Sequence, residues 1–177
     1  MYHSKRGQKP ESMEHLLYPV LVENMWGYID RSGHLIIEPK FDNFGYFQEG
    51  LAHVQVGRKW GFIDKTGNIV IEPRFDFAWE FQEGLAAVQV EGKYGYLDKH
   101  GNYAIEPKFN NAWSFREGLA RVSEQHRCGF IDKSGNYVIP PTFYDALDFY
   151  NGLAMVEVEE KWGYIDRSGH FVWEPSR

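Results

Sequence analysis

The chain has a single cysteine, Cys128, among 177 residues. No internal disulfide can form, so packing and hydrogen bonds must hold the fold. No apolar run approaches the roughly 18 residues of a membrane-spanning helix, and no membrane span is expected. The opening segment, MYHSKRGQKPESMEHLL, is polar and lacks the apolar core of a secretory signal, so a cytoplasmic location is the expectation. Lysine and arginine are nowhere concentrated, and the net charge is −6. Nucleic acid, which is bound through clustered cations, is therefore not an expected partner. Also missing are a nucleophile elbow, a phosphate-cradling loop, a His pair at helical spacing and a Cys pair for zinc. No catalytic residue, no metal and no cofactor is expected, and the chain reads as a non-enzyme.

What the chain has is aromatic rings and repetition. Phe, Tyr and Trp make up 17% of it. Trp26, Trp60, Tyr94, Cys128 and Trp162 stand 34 residues apart, each followed by Gly. Asp30, Asp64, Asp98, Asp132 and Asp166 keep the same step, as do Gly33, Gly67, Gly101, Gly135 and Gly169. So do Pro39, Pro73, Pro107, Pro141 and Pro175, with no insertion or deletion. A fixed period of this length marks a repeat architecture in which one unit cannot bury its apolar face alone.

Each unit reads as three antiparallel strands, such as LAHVQV (51–56), KWGFID (59–64) and NIVIEP (68–73). Short polar turns such as GR and EG join the first two, a hairpin signal. DKTGN joins the second and third, where Asp accepts turn amides and Gly supplies a positive φ. Pro is expected to end the third strand by removing a ladder donor. That strand is apolar on both faces (Ile69 and Ile71 on one, Val70 on the other), which predicts cover on both sides. The linker RFDFAWEFQEG places Phe75, Ala78 and Phe81 three apart. This reads as a tight helical turn plugging rings under the strands, with an irregular fourth strand as the alternative.

The expected fold is all-β: five 34-residue repeats of three-stranded antiparallel meanders. Residues 1–16 would be a tail or cap and 17–175 the repeat domain, with units at 17–50, 51–84, 85–118, 119–152 and 153–175. Three strands leave the chain at the wrong end to begin the next unit. The linker must return roughly 17–20 Å, and its twelve residues can reach about 40 Å. An open superhelical stack and a five-bladed propeller-like ring both satisfy this.

The stretch LAHVQVGRKWGFIDKTGNIVIEPRFDFAWEFQEG resembles the WG repeat, or KWG repeat, of many bacterial proteins. Lys-Trp-Gly, Asp-turn-Gly, Glu-Pro, Phe-x-x-Ala and Glu-Gly-Leu-Ala fall in order over about nine tenths of the chain. The resemblance implies a β-rich scaffold or binding role and no general enzymatic activity or cofactor. Tyr94 and Cys128 depart from its Trp, and Pro140 from its Glu.

The repeated residues read as structure: Trp26, Trp60, Tyr94 and Trp162 as core rings, and the five aspartates as turn formers. Cys128, at a core position, reads the same way, although His126 and Arg127 beside it could activate a thiol. Binding candidates lie where repeats differ. The alternate face of the first strands carries His53, Gln55, Gln89, Arg121, Ser123 and Glu157, which would line a channel or groove. Trp79 and Trp113 in the linkers could add an aromatic patch; Gly45 and Leu147 replace them in other units. The expected partner is another protein. A carbohydrate or cell-envelope glycan, held by exposed repeated aromatics, is the alternative.

Overall fold

A computed structural model describes residues 16–175. All but the last residue of the expected tail or cap lies outside them. The described residues contain strands and turns and no helix. They form five antiparallel sheets in chain order: sheet 1 (18–41), sheet 2 (43–75), sheet 3 (77–109), sheet 4 (111–143) and sheet 5 (145–173).

Sheet 2 shows the pattern. Its three long strands are Leu51–Val56, Lys59–Asp64 and Ile69–Phe75, within a residue or two of where the sequence puts them. A fourth, Asn43–Phe44, comes from the linker. The linker is therefore not a helical turn but the irregular strand. Asn43 lies opposite Gln55 and Phe44 opposite Val54, so it pairs along the edge of the next unit's first strand. Its spacing of three comes from leaving the edge after two residues. The chain then closes a tight turn in which Gln48 and Leu51 exchange backbone hydrogen bonds.

Proline does not end the third strand; the strand runs through Pro73 to Phe75. Trp60 pairs with Phe75 and Phe62 with Ile71, so Gly61 alone faces three residues, Glu72, Pro73 and Arg74. Pro73 sits in this bulge on an edge strand, where a missing donor is tolerated. The bulge presses on Gly61. A Cβ there would lie 2.5 Å from the Ile71 carbonyl oxygen and 2.7 Å from the Pro73 nitrogen. The glycine after each Trp is thus required by close backbone approach.

Four apolar clusters join consecutive sheets. Tyr28, Ile37, Phe41 and Phe47 meet Ala52, Val54 and Ile63, and the same positions recur between sheets 2 and 3, 3 and 4, and 4 and 5. In sheets 2, 3 and 4 one face packs against the sheet before and the other against the sheet after. The third strand is covered less than its composition suggests. Ile71 is buried, but Ile69 and Val70 are each 44% exposed. As the edge strand it reaches past the neighbouring sheets. Among the described residues, sheet 5 has no covering sheet on its far face. Tyr164 is 41% exposed there, whereas Tyr28, Phe62, Tyr96 and Phe130 at the same position are fully buried.

Candidate functional site

The repeated signature does structural work. Trp60 and Cys128 are buried in the clusters, and Trp26 and Tyr94 are half-buried. Trp162 is exposed, because it lies on the uncovered face of sheet 5. The aspartates behave alike. Asp64 Oδ1 accepts the backbone N–H of Thr66 at 2.9 Å and of Asn68 at 3.0 Å. Asp30, Asp98, Asp132 and Asp166 accept the equivalent pairs. The Gly67 of the turn lies in the left-handed region at φ 83° and rests on Ile37 of the preceding sheet. Burial raises the Cys128 thiol pKa, the Asp145 carboxylate adds to this, and the thiol stays protonated at neutral pH.

The variable face of the first strands is not a continuous groove. It is the face each sheet turns toward the next, so the next linker covers much of it. Ala87 is fully buried and Ser123 is 6% exposed, accepting a hydrogen bond from Asn111 Nδ2 at 3.1 Å. Gln55, Gln89 and Glu157 are half-buried at the strand ends, with Gln55 opposite Trp60 and Glu157 opposite Trp162. Trp79 is half-buried, edge-on to Phe77 with centroids 5.1 Å apart. Trp79 and Trp113 do not form one patch with the other candidates. Instead, the structure couples Trp113 to Arg121 and separates His53 from both.

Arg121 lies flat on Trp113, its guanidinium carbon 3.7 Å from a ring centroid. Its Nη1 is 3.3 Å from Asp145 Oδ1 and also donates to the Ala146 carbonyl; its Nε is 3.6 Å from Asp148 Oδ1. This is a stacked, multiply paired arginine, with its side chain 12% exposed. It closes the space between sheet 4 and the linker entering sheet 5.

His53 occupies the equivalent place on sheet 2, and there a cavity of about 290 Å³ remains. Phe44, Gly45, Tyr46, Gln48, His53 and Glu80 line it. Gly45 stands where Trp79 and Trp113 stand in later units; a Cβ on it would overlap the His53 ring. The imidazole instead packs near Trp60 and Phe62, with centroids 5.2 and 6.4 Å away. Its Nδ1 is buried and has no hydrogen-bond partner. Burial lowers the His53 pKa, and the nearby Glu80 carboxylate opposes this only in part. The ring is accordingly neutral at pH 7. Phe44 and Tyr46 meet edge to face at 5.6 Å, and Tyr46 is 62% exposed at the mouth. The Tyr28 hydroxyl donates to the Gly45 carbonyl at 2.9 Å and pins that wall.

Gly45, Tyr46 and Glu80 were not marked as binding residues by the sequence. The signal was the break in the linker pattern, Gly where two other units have Trp. Trp173 was also missed: it is 64% exposed at the position where Ile37, Ile71, Ile105 and Ile139 are buried. No three His, Cys, Asp or Glu side chains among the described residues gather as a metal site requires.

The model of the WG-containing repeat matches residues 26–60, 60–94, 94–125 and 129–162, and the chain belongs to that family. Among solved structures, a eukaryotic initiation factor is similar over 90% of this chain and 52% of its own, with 12% identity and a TM-score of 0.59. A dihydro-heme d1 dehydrogenase in complex with DHE is similar over 98% of this chain and 46% of its own, with 11% identity and a TM-score of 0.56. These likenesses are of fold alone, and the fold is propeller-like. The chain spans about half the length of these two solved structures. No curated protein matches it.

Proposed function

We propose that this WG-repeat chain is a non-enzymatic scaffold for protein–protein interaction, acting in the cytoplasm, with the cavity at Gly45 and His53 as its docking point. One observation carries the reading. Equivalent positions on sheets 3 and 4 are closed by the chain's own side chains, Trp79 over Ala87 and Trp113 under Arg121. On sheet 2 the same place is open, with its rings at the surface. A repeat protein that keeps a common core and opens one position has somewhere to bind. The test is affinity capture with the full chain and with the double variant G45W/H53A, which installs the sheet 3 pair and closes the cavity. A defined set of proteins captured by the wild type and lost by the folded variant is the expected result. Equal capture by both would remove the cavity from the reading.

A glycan-binding role has a separate observation in its favour. Trp162, Tyr164 and Trp173 are exposed on the outer face of sheet 5, with Tyr164 directly opposite Trp173. Such a platform can stack sugar rings. The burial of Trp60 and Cys128 weighs against the repeated ladder of exposed aromatics that this role would otherwise use. Glycan retention lost in Trp173→Ala, with protein capture absent, would favour this second role.

A further inference from the structure

The unit-to-unit comparison identifies what the cavity lacks. At the position of Glu80, two repeats later, stands Asp148, which lies 3.6 Å from Arg121 Nε and is also paired with Arg116 Nε at 3.4 Å. Between them, the same position is Ser114, and the residue facing it is Ala87. The pattern is consistent: an acid where the preceding sheet supplies a guanidinium, and a neutral residue where it supplies none. Sheet 2 breaks it. Glu80 is half-buried and faces His53, which burial keeps neutral, and among the described residues no cation pairs with it. The acid is present without its cation, beside a cavity and an unpartnered imidazole nitrogen.

We propose that the cavity between sheet 2 and the linker into sheet 3 takes the arginine side chain of a partner polypeptide, seated as Arg121 is seated in its own sheet. This rests on the interaction reading above and names the chemistry of the partner. Glu80 supplies the carboxylate that Asp148 supplies to Arg121. Phe44 and Tyr46 supply ring faces in place of Trp113, and a cation over such a face is attracted by its quadrupole. His53 Nδ1, unprotonated in one tautomer, and the Gln48 amide oxygen are acceptors for the remaining N–H groups. Its volume of about 290 Å³ leaves room for a guanidinium entering past exposed Tyr46. Lysine, with a compact ammonium, would reach Glu80 but would not stack as a planar fork does.

The experiment titrates the full chain with N-acetyl-arginine amide, read by NMR at the His53 and Tyr46 side chains. N-acetyl-citrulline amide, of the same shape without the charge, and free arginine are run in parallel. Saturable shifts are expected with the arginine amide, with affinity weaker by about tenfold or more for the citrulline analogue. Glu80→Gln should weaken binding by a similar factor. G45W/H53A and H53R should abolish it, the first by filling the cavity, the second by occupying it with the chain's own guanidinium. The unfolding temperature of each variant confirms that it is folded. No saturable shift, or equal affinity in Glu80→Gln, overturns the proposal. Free arginine binding far more tightly than the blocked amide also overturns it, since the site would then recognise a small amino acid. If the arginine amide fails while protein capture still depends on the open cavity, the interaction reading stands and its arginine chemistry falls.

Discussion

The carboxylate of Glu49 accepts the backbone N–H of Gly84 at 3.0 Å, across the boundary between sheets 2 and 3. The same glutamate takes Lys99 Nζ at 3.2 Å on its carboxylate and at 2.9 Å on its backbone carbonyl. Glu83 holds Gly118 and Lys133 in this way, and Glu117 accepts the Gly152 N–H on its carboxylate and Arg167 on its backbone carbonyl. All three glutamates sit in the left-handed region, at φ 52°, 54° and 53°. A side chain there costs about 1 kcal/mol, so local preference alone would choose Asn or Gly. The fourth unit has Asn151, with no described sheet beyond it to hold.

Glu83→Asn therefore trades backbone relief against a hydrogen bond to a charged group, which contributes about 1.5–3 kcal/mol. A net loss of about 1 kcal/mol is expected in urea denaturation. Asn151→Glu, lacking a partner, should be destabilising by up to about 1 kcal/mol. A neutral or stabilising Glu83→Asn would show that the clamp contributes nothing.

The Trp-Gly pair should be intolerant at both positions, for different reasons. Trp60→Ala empties a buried site and should cost about 3–5 kcal/mol. Gly61→Ala adds one carbon against the backbone of Ile71 and Pro73, which cannot move aside as a side chain can, and should cost about 3 kcal/mol. Trp162→Ala, on the open face, should cost less than Trp60→Ala. Chemical denaturation of the three variants checks the order; equal costs for the two tryptophans would contradict the packing.

The five turn aspartates make stability depend on acid. Their folded pKa values are depressed: by the backbone N–H of His34, Asn102 and Asn136 first at Asp30, Asp98 and Asp132, and by the hydroxyls of Thr66 and Ser168 first at Asp64 and Asp166. A depressed folded pKa contributes stability that is present above the unfolded carboxylate pKa, about 4. It is lost as pH falls through the folded value. The unfolding temperature should drop as the pH is lowered below about 4. Asp64→Asn keeps an acceptor for both N–H groups but does not titrate, so its drop should be shallower. Parallel curves would remove the turn from the explanation.

Much of the fold was legible because period and alternation are local. The strands at 51–56 and 59–64 appear as the sequence places them. The Asp-turn-Gly could be read because Asp accepts amides within four residues of itself. The linker misled because its spacing of three, Phe75 to Ala78 to Phe81, matches a helical turn. What decides it is pairing with a strand the chain has not yet made, Phe77 against Gln89. The Pro73 bulge was hidden for the same reason: only the opposing Gly61 makes room for it. Of the candidate site, His53 was marked, but its surroundings were not. Gly45 looked like a lost Trp rather than a wall, and Glu80 is brought to it from the following unit.

The kind of unit, its hairpins and its turns were readable from the sequence alone, since each depends on residues a few places apart in one strand or hairpin. The tertiary structure decided what each sheet face meets. Stacking sheet on sheet turned the alternate first-strand positions into interfaces, filled two of them with Ala87 beneath Trp79 and Arg121 on Trp113, and left the third open beside Glu80. Burial and charge pairing across 24 residues or more are properties of that stacking, and no local pattern encodes them.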